Sequence, residues 1–356
     1  MKFKAEIYLL VISLVFTLSG CGFKPEAQPL QLSVRSTLGL LQEDPQFVMY
    51  LNFKNMSRTK FWEKNISDSL LNEEKTFGSI LNTFKLATGA SISSGLDEMF
   101  YSNSWFGENS IVLKGLFSKK KLDEYLASDS TFSVTKTAEG KDIYINNENG
   151  LYFFFKDDFT ICASNYLKQL DEMIQYKDTV VSGLLKNEKL LNSISDIIYK
   201  DDLWMVSTEK AFIKGIYQNF LGSAAGIKPE DNSGSDSSKT QSDSVSSPEN
   251  EKVNLENLYT KYNSISFSAS MNENIIILIQ NDFIDESSSK FFRSILNGFL
   301  TVSRISAGGK QKLPAAKILD KVRVNRYDNE VYIDVNIDNS DLEILRKTNL
   351  MSEPVQ

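Results

Sequence analysis

Serine and lysine at S-x-x-K spacing come closest to a reactive pair in this chain. Ser57-Arg58-Thr59-Lys60 sets a hydroxyl about one helical turn from an amine, and lysine can act as base to a serine without any imidazole. That independence matters, because the chain contains no histidine. Zinc, copper and non-haem iron sites lean on imidazole, as do most serine and cysteine hydrolase triads, so those classes recede together. The S-x-x-K pattern is nevertheless cheap here, since Ser118 to Lys121 and Ser287 to Lys290 repeat it. Its companion motifs are poor. Tyr327-Asp328-Asn329 reads as a hairpin turn, and Lys347-Thr348-Asn349 lacks the glycine of K-T-G. Each serine is more simply a helix cap, accepting a bond from an exposed backbone amide.

Two other patterns carry candidate chemistry. Asp334, Asn336 and Asp338 have the spacing that opens a calcium loop, but Asn339 stands where glycine is required and Leu345 where the bidentate acid belongs. Alternation with Val335 and Ile337 makes these residues the wet face of a strand. Cys162 lies in Phe159-Thr160-Ile161-Cys162-Ala163-Ser164, a buried-strand pattern, and reads as a small core residue with no histidine to activate it. Neither G-x-x-x-x-G-K-[ST] nor G-x-G-x-x-G occurs, so no cofactor or nucleotide is implied. The sequence therefore implies no catalytic residue and no metal site.

The elements that would position such residues alternate between strands and helices. Phe47 to Lys54 reads as a strand, with Phe47, Met49, Leu51 and Phe53 on one face. A helical region follows from Lys60 to Leu86, then a turn-rich connector around Gly89 and Gly95, then a strand from Ile111 to Phe117 and a helix that Ser118 caps. Phe132 to Thr137, Asp142 to Asn147, Leu151 to Lys156 and Phe159 to Ser164 form an antiparallel meander. Its Asn149-Gly150 step suits a type I′ turn. Helices are expected at Asn165 to Gln175 and Asn187 to Tyr199, a strand at Leu203 to Ser207, and a helix at Glu209 to Phe220. Beyond a Ser/Asp-rich stretch, Ser264, Ser266, Ser268 and Ser270 alternate with Ile265, Phe267 and Ala269, which implies one wet face. Ile275 to Ile279 is continuously apolar, as in a central strand. Ser287 to Val302 is an amphipathic helix, Val322 to Tyr327 and Glu330 to Ile337 a hairpin, and Ser340 with Glu343 a capping box opening the last helix.

Composition sets limits on function. A net charge of −7 excludes a general nucleic-acid binder, which needs an excess of Lys and Arg on one face. With 41% hydrophobic residues the chain has material for a sizeable core. Its 23 Phe and 14 Tyr could line a lipid-binding cavity or simply fill cores. Of two cysteines, Cys21 stands at the end of a short apolar run from Ile7 to Leu18 that follows Lys2 and Lys4. A membrane span needs about 20 apolar residues, so this run is too short for one and reads as a targeting segment.

Leu18-Ser19-Gly20-Cys21 resembles the lipobox of bacterial lipoprotein precursors. The resemblance implies that a signal peptidase recognises Leu18, Ser19 and Gly20 and cuts before Cys21, and that the cysteine carries a diacylglycerol and an acylated amino group. Each buried CH₂ contributes roughly 0.8 kcal/mol, so two or three acyl chains hold such a protein firmly on a membrane. The alternative is an ordinary secretory signal in which Cys21 is incidental. Gly22 in place of the aspartate that retains enteric-type lipoproteins at the inner membrane implies the outer membrane, or, in a cell with one membrane, its outer face. The order of elements, with Gly95-Leu96-Asp97, Leu116-Phe117-Ser118 and Leu203-Trp204 as loose markers, is also similar to a broad set of uncharacterised exported bacterial proteins.

These readings combine into one expectation. The chain is an α+β protein of antiparallel sheets, as meander and hairpins, with helices packed on one face and two similar lobes. Residues 1–20 are the signal peptide, 21–31 a tether, 32–221 the first lobe, 222–258 a disordered Ser/Asp-rich linker and 259–356 the second lobe. The expected role is a membrane-anchored envelope lipoprotein that binds a partner protein or a hydrophobic ligand without catalysis. A histidine-free envelope hydrolase and a purely structural lipoprotein are the alternatives.

Overall fold

Runs of β-branched and aromatic residues bounded by turn residues give twelve strands in the computed structural model, which describes residues 24–66, 85–92, 94–137, 139–216, 258–307 and 314–347. In chain order they are β1 Phe47–Asn52, β2 Leu96–Asn103, β3 Asn109–Gly115, β4 Phe132–Lys136, β5 Asp142–Asn146, β6 Leu151–Asp157, β7 Thr160–Ser164, β8 Leu203–Ser207, β9 Tyr262–Met271, β10 Ile275–Phe283, β11 Arg323–Tyr327 and β12 Glu330–Ile337. All pair antiparallel in a single sheet of order β11-β12-β10-β9-β8-β1-β2-β3-β7-β6-β5-β4. The fold is therefore α+β with an antiparallel sheet, and its two lobes share that sheet through the β8–β9 pairing.

Helices cover the sheet unevenly. In the first half, α1 (Leu32–Leu38), α5 (Leu167–Gln175) and α6 (Glu188–Ser195) pack on one face, burying Val34, Leu38, Leu170, Met173 and Ile194 against Val48, Tyr50, Phe100, Cys162 and Trp204. The short α2 (Phe53–Met56), α3 (Lys60–Asn65) and α4 (Lys119–Ser128) cover the other, where Phe53, Met56, Trp62 and Leu122 meet Met99, Ile111, Leu113 and Ile161. Both faces of this half thus carry helices. In the second half α7 (Glu286–Ala307) lays Phe292 and Leu296 on one face, beside Ile213 from a helical stretch at 210–216. Two further helices, α8 (Pro314–Lys321) and α9 (Asn339–Lys347), are tied by Lys321, which reaches Asp338 at 2.8 Å and the buried Asp341 at 2.5 Å.

Local readings are mostly kept, with instructive departures. The meander appears as β4 to β7, and Ser118 caps α4 by accepting from the Lys121 amide. Strand β1 buries most deeply the face opposite Phe47, Met49 and Leu51. Val48 and Tyr50 are 0% and 1% exposed, while Met49 and Leu51 are half-buried, because β1 lies at the centre of the sheet. The β5–β6 connection spans residues 147–150 with Gly150 alone at positive φ, so it is not a two-residue type I′ turn. Asp338, rather than Ser340, caps α9, its Oδ1 accepting from the amides of Ser340 and Asp341. The serine face of β9 is not wet: Ser264, Ser266 and Ser268 are buried under the crossing segment 196–202, where the Ile198 amide donates to Gln280 Oε1. The expected signal peptide, Cys21, the helical expectation over 67–84 and nearly all of the expected Ser/Asp-rich linker lie outside the described residues. Leu258, placed at the end of that linker, is fully buried in a 3₁₀ turn.

Candidate functional site

Cross-strand register assembles a feature no local window contains. Following the pairs across the sheet, Val324, Ile333, Ile279, Phe267, Met205, Met49, Tyr101, Ile111, Ala163, Phe153, Tyr144 and Val134 form one rung on one face. Every member is apolar or aromatic. From Tyr101 to Tyr144 the rung is buried beneath helices, whereas from Val324 to Met49 it is only half-buried. Six consecutive strands therefore present a partly uncovered apolar strip, two of whose residues are the adaptable side chain methionine.

The strip runs into a cavity of about 100 Å³ between the sheet and α7. Ile265, Ile279 and Ile333 form its floor, Phe292 and Leu296 its roof, and Ile213, Ile216 and Tyr262 its sides. The single amide in the wall is Asn281, whose Nδ2 already donates to Val331 O at 3.2 Å. Nothing in that wall asks for water, and such a lining suits hydrocarbon; an engineered cavity of about 150 Å³ with similar lining takes up benzene. Around it Tyr262, Phe283 and Phe292 pack with ring centroids 4.3 to 5.9 Å apart, fixing the cavity's end. The arrangement can hold hydrocarbon and offers no group for proton transfer.

The residues singled out for chemistry are scattered and already engaged. Ser57 ends α2, and the Lys60 ammonium is held 2.8 Å from Glu273, a hydrogen bond that raises its pKa, the opposite of what a base needs. Ser287 Oγ donates to Asp285, and Lys290 pairs with Glu286. Asp334 and Asn336 lie on β12, while Asp338 is occupied by the α9 cap and Lys321. Cys162 is fully buried in β7, and burial pushes its thiol up to about 12. Among the described residues no group of three or more metal-ligating side chains gathers, and no helix is long and apolar enough to cross a membrane.

Buried charges missed in the sequence knit the two halves together. Asp202 is 2% exposed; its carboxylate accepts from the Met271 amide at 2.6 Å and from Asn55, linking α2, β8 and β9. Lys200 is buried and donates to the carbonyls of Gln28 and Ser195, and burial lowers its pKa. Their only sequence signal was the acid-rich Lys200-Asp201-Asp202 just before an apolar strand.

Comparison with known proteins is sparse. No family model and no curated protein matches the chain. Among solved structures, crystal form III of TP0453 is similar over 91% of this chain and 97% of that one, with a TM-score of 0.43 and 8% identity. Crystal form I of TP0453 covers 87% and 96%, with a TM-score of 0.44 and 9% identity. The chain thus has a distant structural similarity to TP0453 along most of its length.

Proposed function

We propose that this chain is a lipid-anchored envelope protein that binds an apolar ligand, such as a lipid acyl chain, without catalysis. The observation that carries the binding role is the half-buried strip from Met49 to Val324 opening into the cavity beneath α7, whose wall is apolar but for the already bonded Asn281 amide. Hydrocarbon seated there gains roughly 25 cal/mol for each Å² removed from water, and finds no unsatisfied polar group to oppose it. The lipobox at Leu18 to Cys21 supports the anchor, and with it a location on the envelope. Replacing Cys21 by Ser should release the protein from the membrane fraction, which fractionation of cells would show.

Native mass spectrometry of the mature chain tests the ligand. Wild-type protein purified from an envelope extract should carry a reproducible extra mass in the lipid range, beyond the acyl chains on Cys21. Leu296→Trp, which fills the cavity from its roof, should lose that mass while keeping the far-ultraviolet circular dichroism of the wild type. A wild-type protein with no extra mass, or a Leu296→Trp variant that retains it, would remove the cavity from consideration.

A further inference from the structure

The β2–β3 hairpin carries the most exposed aromatic residue of the described chain at its tip. Phe106 is 91% exposed and Trp105 50%, at a turn that Gly107 completes at positive φ. A second segment brings two more apolar side chains beside them. Asn165 Oδ1 accepts from the Asn109 amide at 2.7 Å and its Nδ2 donates to Gly107 O at 2.9 Å, docking the start of α5 against the hairpin. Tyr166 and Leu167 in that segment are 41% and 48% exposed. Four large apolar side chains from two segments are thus held together in solvent, an arrangement that costs solubility and marks a contact surface.

The start of the described chain says what surface that is. Lys24 pairs with Glu330 at 2.6 Å, and Glu330 opens β12 opposite Asp282. Register carries that end of β12 across the sheet: Val331 pairs with Asn281, Asn281 with Ile265, Ile265 with Ser207, and next to it Val206 with Val48 and Val48 with Ser102. Asn103 and Asn109, which flank the aromatic tip, form the pair at that same strand end. Cys21 precedes Lys24 by three positions, a reach of about 10 Å. The hairpin stands five strands from β12, about 24 Å away along the sheet. Strands turn by about 20° at each step, so the two ends diverge, and a surface facing midway between them meets both. Trp and Tyr favour such a boundary, their rings in the apolar layer and their polar atoms among the headgroups.

On the reading that Cys21 carries acyl chains, we infer that the Trp105–Phe106 hairpin, flanked by Tyr166 and Leu167, is a second membrane contact that dips into the bilayer holding the anchor and fixes the protein's orientation on it. Glu108 and Glu209 beside the tip disfavour anionic headgroups, so the partner is a zwitterionic lipid surface.

Tryptophan emission reads this directly, since Trp62 and Trp204 are buried in the core and Trp105 is the exposed member of the three. The full mature chain, isolated with its native modification, is placed in phosphatidylcholine vesicles whose acyl chains carry bromine. The wild type should show quenching that Trp105→Phe abolishes and that Phe106→Asp reduces at least twofold. Phe159→Asp, at an aromatic 58% exposed on the opposite strand end, should leave quenching unchanged. Intact mass on the same sample reports the anchor separately. An unacylated Cys21 overturns the anchor reading and this proposal with it. An acylated chain with no quenching of Trp105 overturns the hairpin contact alone, as does capture of an envelope protein by the tip with no quenching.

Discussion

One rung of side chains crosses the whole sheet, yet its two ends live in different surroundings. Toward β7, Tyr101, Ile111, Ala163 and Phe153 are sealed beneath α2, α3 and α4. Toward β12, Met49, Met205, Phe267, Ile279 and Ile333 are half-buried beside a cavity. The residue chemistry is the same in both places, so the difference comes from what is laid on top. Helices on both faces make the first half a close-packed core, and interiors of that kind accept no ligand without rearrangement. Among the described residues, α7 and the helical stretch at 210–216 cover the second half less completely and leave a cavity between them and the sheet. One hydrophobic sheet thus forms a sealed core at one end and a partly uncovered apolar strip at the other.

Two adjacent residues of β8 test that division with the largest expected effect. Trp204 is fully buried on the opposite face, in the core packed by α1, α5 and α6, and Met205 is half-buried on the strip. Trp204→Ala should cost about 3–5 kcal/mol in urea unfolding, the range for deleting a buried aromatic. Met205→Ala should cost about 1 kcal/mol, because it forfeits less area and leaves a shallower void. If the two substitutions cost the same, the strip is packed as tightly as the core and the contrast fails. If the Met205→Ala cost grows when the purified protein carries its bound mass, the strip and the ligand are in contact.

A smaller effect sharpens the contrast through charge. Asp282, near the strand end that Lys24 clamps, has its pKa raised from 3.8 to about 6, chiefly by burial and further by the carboxylates of Glu330 and Asp196. A carboxyl that holds its proton more tightly when folded favours folding at low pH, and that advantage is lost as pH rises from about 4 through about 6. The side chain is only partly buried, so solvent screening reduces the effect to about 1 kcal/mol at pH 7. Asp282→Asn should therefore be more stable than wild type at pH 7 by that amount, and equal to it near pH 4. Thermal unfolding across that window shows the crossover, and two parallel curves would mean that this carboxyl is solvated.

How much of this was legible follows from the range of the interactions. The meander β4 to β7 is written in adjacent residues, apolar runs punctuated by Glu139-Gly140, Asn149-Gly150 and Asp157-Asp158, and it was readable. Strand β2 was not, because Asp97, Glu98, Ser102 and Asn103 dilute its apolar pattern; Glu98 sits there to accept from the Tyr50 hydroxyl at 2.9 Å. Helix α1 escaped as well, being seven residues long with no side-chain cap to announce it. The half-buried strip had no local signature, since Met49, Met205, Phe267, Ile279 and Ile333 become neighbours only through register across five strands. Its individual segments were readable as strands, and their alignment was not.

The serine face of β9 gives the smallest and most discriminating prediction. Alternation made it a wet face, but the segment from Asp196 to Asp202 covers it and turns its hydroxyls inward. Ser268 Oγ is buried with no hydrogen-bond partner, and its cross-strand neighbour Trp204 has an equally unpartnered Nε1. Ser207, one strand away, is equally buried, yet its Oγ donates to Gln46 O at 2.5 Å and accepts from the Glu209 amide. Removing a satisfied hydroxyl leaves its partners stranded, whereas removing an unsatisfied one relieves a desolvation cost. Ser207→Ala should therefore cost about 1 kcal/mol, and Ser268→Ala should be neutral or stabilise by a few tenths. Urea midpoints separate the two, provided the slopes are equal. A Ser268→Ala cost as large as that of Ser207→Ala would mean that an ordered water bridges Ser268 and Trp204. The core on the face opposite the strip would then have a polar seam at its centre.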